Sequence, residues 1–434
     1  MTQEHFLFQA ANQEIHEQSY PSLFREYDDI EANWPWQAPV EQWIEHILSF
    51  AVKPELMSAF LDPNLQGGGQ ICFRVDGVNV TGSQFTVEQY NQLIAAIKTR
   101  VILSHSIVSK LLQEGFILNK SGKKHWVGIL QTVAGIQVTF LFENNLRLTD
   151  PLADWPAQAK VVVEQMQNHP NGLMICCHRG WSLSQQGTIF NVFDSWIDRS
   201  NGSARIGSIT ESLQPLTRYE NINQLCVDGS KQSWEQASRA LVAQDIDLVM
   251  MRGRNEQEVV TQAVLTALED RCVLVDVSHF SVIDTLIWLL TDLSISPGRV
   301  TSVLLGIVGS YSGLRRVCPH CSTEQSPDDN FFRLLDRYNI PLIADSKWMK
   351  GQGCPKCYGT GYAPKQRLTV VEAAYIDRSM AKLCTSNPNK DLLNSALVAS
   401  GYQTYFEQAV NFAQQGMTTS QEAIRVGLGR QNEL

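Results

Sequence analysis

The run Gly172-Leu173-Met174-Ile175-Cys176-Cys177, leading into His178-Arg179-Gly180-Trp181-Ser182-Leu183-Ser184-Gln185, decides the fold. Within it, Leu173–Cys177 is a short apolar run that follows a glycine, ends at polar residues and reads as a strand. Similar runs follow at Ile206–Thr210, Ile246–Met251 and Cys272–Val277. Helical segments fall at Gly187–Arg199, Trp234–Ala243, Glu256–Leu268 and Val282–Leu293. Short apolar strands alternating with longer helices indicate an α/β fold built on a parallel, doubly wound sheet.

Upstream, a helix over Trp155–Gln167 leads into this block and stops at His169-Pro170-Asn171-Gly172. Before it, Gly67-Gly68-Gly69 marks a tight turn, Gln70–Val75 a strand, and Asp76-Gly77 a hairpin turn. A helix over Val87–Leu103 and strands near His125–Val133 and Ile136–Phe142 complete a small α/β domain. Glu41–Val52 has helical spacing, with Pro54 to end it. The expected organisation is an N-terminal region 1–65 that is a candidate docking module, a domain 66–150, a linker helix 151–171, a core 172–317, a cysteine-bearing insert 318–372 and a helical region 373–434. Trp34, Trp36 and Trp43 read equally well as a partner anchor or a local core.

Of the 434 residues, 44% are hydrophobic and 18% charged, and the net charge is −9. Disorder and rod-like architectures are excluded by this composition, and general nucleic-acid binding is disfavoured. Lys347, Lys350, Lys356 and Lys365 make only a thin basic patch. Ser281–Leu293 and Val300–Val308 fall short of the roughly 20 apolar residues of a membrane span. The N-terminus lacks the pattern of a secretory signal. A cytoplasmic protein without direct membrane insertion is expected, so its cysteines should be reduced, metal-bound or buried.

Cys318-Pro319-His320-Cys321 and Cys354-Pro355-Lys356-Cys357 form two C-x-x-C knuckles. Four thiolates converging at about 2.3 Å on one Zn²⁺ make a closed, structural site. Residues 322–353 must then leave and return, and His320 is a bystander. Cys72, Cys176, Cys177, Cys226, Cys272 and Cys384 read as core residues.

The segment Leu314-Arg315-Arg316-Val317-Cys318-Pro319-His320-Cys321, with Gly353-Cys354-Pro355-Lys356-Cys357-Tyr358-Gly359-Thr360-Gly361-Tyr362, resembles the tetracysteine signature of the type II secretion and type IV pilus assembly ATPases. Arg367 and Glu372 continue the pattern after two extra residues, with Gln366 in place of its Gly. Phe73-Arg74-Val75-Asp76-Gly77 and His169–Met174 carry the resemblance upstream. It implies a RecA-like, P-loop NTPase core and a hexamer of like or mixed subunits. It also implies motor ATPase subunits and an inner-membrane platform protein as partners.

The nucleotide chemistry that the resemblance implies lacks its residues. No G-x-x-x-x-G-K-[ST] occurs; the aligned loop carries Gly180, Ser182, Ser184 and Gln185, with Ser184 at the Lys position and Gln185 at the Mg²⁺-ligand position. The Walker B-like strand Asp245–Met251 runs into Arg252-Gly253 instead of Gly-Glu. Two arginines of the family appear as Phe116 and Gln137. Glu211 and His279 remain as weak catalytic candidates, whose plainer readings are a solvated loop acid and a hydrogen-bonded strand-end histidine. Arg252 and Arg254 read as surface arginines or an anion site, and Arg315 and Arg316 as structural charges at a helix end. The expectation is a pseudo-ATPase holding structural Zn²⁺, with no support for ATP or Mg²⁺. A divergent active motor is the rival.

Overall fold

The computed structural model describes residues 34–50, 56–75, 78–103, 112–122, 124–142, 152, 155–178, 187–211, 222–227, 229–357, 359–386 and 388–428. Its N-terminal part comprises α1 (Val40–Ser49), β1 (Leu56–Pro63), β2 (Gly69–Val75), β3 (Val78–Phe85), α2 (Val87–Arg100), β4 (Ile102–Leu103), β5 (Leu112–Leu118), β6 (Lys124–Gln131) and β7 (Ile136–Leu141). The strands form an antiparallel sheet in the order β3-β2-β1-β7-β6-β5-β4. Val75 opposes Val78, the register that a two-residue Asp76-Gly77 hairpin requires, although the turn itself lies outside the described residues. Thr86 and Gln89 close a capping box at the start of α2. That helix stops at Arg100, short of the expected Leu103, because Ile102 and Leu103 pair with β5.

Residues on either side of the expected boundary at residue 65 share one sheet and one core. β1 lies in mid-sheet, and Trp34, Trp43, Ile44 and Ile47 share one core with Phe73, Leu93 and Phe140. Trp34, Trp36 and Trp43 gather around Phe85 with ring centroids 5.2, 5.8 and 6.3 Å away. They are therefore part of the local core. Burying such rings contributes more than their area alone, through edge-to-face packing.

The second part comprises α3 (Ala157–Gln167), β8 (Gly172–Cys177), α4 (Gly187–Ser200), β9 (Ile206–Thr210), β10 (Asn223–Cys226), α5 (Lys231–Ala243), β11 (Leu248–Arg252), α6 (Glu256–Ala267), β12 (Cys272–Val277), α7 (Val282–Thr291), α8 (Pro297–Val303) and β13 (Leu304–Val317). It continues with β14 (Ser322–Glu324), α9 (Asp329–Arg337), β15 (Met349–Gly351), β16 (Tyr362–Tyr375), α10 (Arg378–Ser386), α11 (Lys390–Ala399), α12 (Tyr405–Gln414) and α13 (Ser420–Gly427). The sheet order is β10-β9-β11-β12-β8-β13-β16, parallel except for β16. Every residue of β8, β11 and β12 is buried, and apart from Arg252 and Asp276 near their ends these strands are continuous apolar runs. Odd-numbered Leu173 and Ile175 face α5, α6 and α7, while Met174 and Cys176 face α3 and α4.

The boundaries expected at 171, 317 and 372 also fall within shared cores. The linker helix α3 packs on the sheet through Ala159, Val163 and Met166. β16 extends the core sheet along β13, and α10 and α11 share the apolar cluster of α5–α7. Arg315 and Arg316, expected at a helix end, lie in β13.

Candidate functional site

Parity along the strands places the polar groups at the C-terminal edge of the sheet. Met174 and Cys176 in β8, Met250 in β11 and Leu274 in β12 line the α4 face. The next residues of the same parity are His178, Arg252 and Asp276, so the apolar stripe ends in three ionisable groups. His178 Nε2 and Arg252 Nε both lie 3.3 Å from the same oxygen, Asp276 Oδ2. Side-chain exposure is 0% for His178 and Asp276 and 9% for Arg252. The Arg252 guanidinium lies 4.8 Å from the ring centroid of Phe190 in the first turn of α4. Such a cluster must be paired, because a lone buried charge costs several kcal/mol.

Arg252 is thus a buried residue, which corrects the reading of it as a surface arginine. Glu211 is not a solvated acid either. Its Oε2 accepts a hydrogen bond from the Arg254 backbone N–H at 2.9 Å. A Cβ on Gly253 would come within 2.5 Å of Glu211 Oε1 and 2.6 Å of Trp234, so only glycine fits between them. Glu211 therefore braces the turn after β11. His279 Nε2 lies 3.5 Å from Glu256 Oε2, and its ring packs 4.7 Å from Trp288. Burial pushes the Glu256 carboxyl up, against the Ser278 N–H and His178. Burial likewise pulls the His279 imidazole down, against Asp284 and Asp292. Both shifts favour the uncharged forms.

Gly180, Ser182, Ser184 and Gln185 lie outside the described residues. Phe116 sits in β5 opposite Trp126, and Gln137 donates to Asp62 Oδ1 at 2.6 Å. Glu372 of β16 is 2% exposed and accepts from Val282 N, Tyr405 N and the Tyr402 hydroxyl at 2.9, 2.8 and 2.7 Å. One carboxylate so satisfies the first N–H of both α7 and α12.

The cysteine quartet forms a second centre. Cys318 and Cys354 Sγ are 3.9 Å apart, Cys321 and Cys357 3.7 Å, and Cys354 and Cys357 3.7 Å. These separations are too long for disulfides. Tetrahedral Zn–S bonds of about 2.3 Å place sulfurs about 3.8 Å apart, so the donor set fits that metal. All four sulfurs lie within 4.8 Å of one another. Burial raises the Cys357 thiol, but N–H groups of Cys354 and Gly361 outweigh it and bring it down to about 6. The excursion returns as the spacing demands, since β14 and β15 pair antiparallel. Gly353, at φ +87°, sits against the Gly359 carbonyl where no side chain fits. His320 is exposed and outside the quartet. Of the other cysteines, five are buried and Cys226 is half-buried.

A doubly wound α/β core, an antiparallel N-terminal sheet and a cysteine quartet define a class of protein that is recognised over much of its length. The chain belongs to the family described as Type II/IV secretion system protein, which matches residues 206–425. It is 28% identical over 218 residues to the "Type IV pilus assembly ATPase PilB" of Thermus thermophilus, covering 50% of this chain and 24% of that one. It is 23% identical over 392 residues to the "Type IV pilus assembly ATPase TfpB" of Acinetobacter baylyi, covering 88% and 64%. The chain thus spans less than two thirds of the length of either relative. Its fold is similar to that of the pilus retraction motor PilT solved with bound ADP, with a TM-score of 0.60, 14% identity and coverage of 90% and 98%.

Proposed function

We propose that this chain is a non-hydrolysing subunit or regulator of a type IV pilus assembly or type II secretion motor. It acts through protein–protein contacts, with motor ATPase subunits and the inner-membrane platform protein as partners, in a homo- or hetero-hexamer. The observation that carries this reading is the end of β11. There a Walker B carboxylate would position Mg²⁺ or water, and the chain instead buries Arg252 against Asp276. Glu211 is committed to the Arg254 N–H, and the loop sequence offers Ser184 where Lys would reach the phosphates. The quartet holds structural zinc that ties the insert to the core. Localisation is cytoplasmic, at the inner membrane through partners. A second reading, a divergent active ATPase, is favoured by the names of the two relatives.

Calorimetry with MgATP up to millimolar concentration separates the two. No saturable binding and no hydrolysis above background are expected. Micromolar binding that Glu211→Gln weakens would make the active motor the correct reading.

A further inference from the structure

One oxygen of Asp276 is approached by the Arg252 guanidinium and the His178 imidazole, from the strands on either side of it. Its other oxygen, Oδ1, is buried with no hydrogen-bond partner among the described residues. A side chain serving only as a structural hydrogen-bond acceptor would not leave one carboxylate oxygen bare in a dry core. The location matters equally. In doubly wound sheets, ligands bind in the crevice beyond the carboxyl ends of the strands, and Arg252, Asp276 and His178 stand at those ends of β11, β12 and β8. Two cationic or donor side chains converging there, with an aromatic ring behind the guanidinium, have the composition of an oxyanion site.

We propose that Asp276 is a built-in anion. Its carboxylate fills a latent phosphate-type oxyanion site formed by Arg252 and His178, and its charge keeps free polyphosphates out. This rests on the reading of the cleft as nucleotide-free, and adds to it what occupies the cleft instead. Removing the charge should therefore create binding. Asp276→Asn keeps the shape of the side chain while removing the negative charge that faces Arg252 and His178.

The test titrates inorganic pyrophosphate into full-length wild type and Asp276→Asn, read by calorimetry and thermal unfolding. The variant is expected to bind at millimolar concentration or tighter and to melt higher with pyrophosphate, while wild type shows neither effect. Adding Arg252→Met to Asp276→Asn should abolish the gain. If Asp276→Asn does not fold alone, refolding with pyrophosphate present should recover it, and recovery lost in the Arg252→Met double variant would support the same site. A folded variant blind to pyrophosphate, a misfolded one that pyrophosphate does not recover, or a gain that survives Arg252→Met would overturn the proposal. ATP binding by wild type would refute the pseudo-ATPase reading instead, and leaves the comparison of variants with pyrophosphate to be judged separately.

Discussion

Glu422 is 1% exposed and grips two arginines from different elements. Arg315 of β13 donates to it at 3.0 and 2.7 Å, and Arg425 of its own helix α13 at 2.9 and 2.5 Å. Arg315 also stacks 4.1 Å over the Tyr362 ring. Burial alone would raise this carboxyl, but the arginines outweigh it and hold it at about 2. A carboxyl held below its unfolded value of about 4.3 stabilises the fold above that pH, and the contribution fades as pH falls toward 2. The sign is thus loss of stability with acid. Urea unfolding should find wild type more stable than Glu422→Gln at pH 6, with the gap narrowing by about 2 kcal/mol at pH 3. A gap unchanged between these pH values would mean that the ion pairs contribute nothing that titrates.

At the scale of elements, the most legible parts of the sequence were the strands buried on both faces. Ile206–Thr210 and Cys272–Val277 match β9 and β12 end to end, because a strand covered on both faces is mostly apolar, Asp276 being the charged exception in β12. The expected Ile246–Met251 is shifted, as β11 starts at Leu248 and takes in the charged Arg252. β16 is not legible as a strand: its sequence, from Tyr362 to Tyr375, interrupts the apolar pattern with Lys365, Gln366 and Arg367. Its partner β13 lies a whole excursion away in sequence. The quartet was legible because spacing alone constrains four thiolates. The His178–Arg252–Asp276 cluster was not, since it depends on the parity of three strands at once. About one zinc per chain is expected by elemental analysis, and Cys318→Ser should lose it and destabilise the packing of α9 against α12 and α13. Full zinc content and unchanged stability in that variant would refute the site.

For the whole molecule, no helix among the described residues is long and apolar enough to cross a membrane. In the proposed role, attachment to an inner-membrane machine comes through partners. Tagged protein from cells expressing an intact pilus or secretion system should co-purify with the motor or platform protein. It should leave the membrane fraction when the platform gene is deleted. Retention on membranes without that gene would point to direct lipid contact instead. The net charge of −9 makes such contact with an anionic surface unfavourable.

The pairing of β13 with β16 has a mechanical consequence. β13 is hydrogen-bonded to β8 only over Leu304–Gly309, then runs on beside β16 and ends at Val317, immediately before Cys318. At about 3.3 Å per residue, this two-stranded arm projects about 26 Å past its last bond to β8. A pull on the quartet along the arm loads its cross-strand bonds together, in shear, the direction in which a ribbon yields least. The quartet and the sheet edge therefore move as the two ends of one stiff lever.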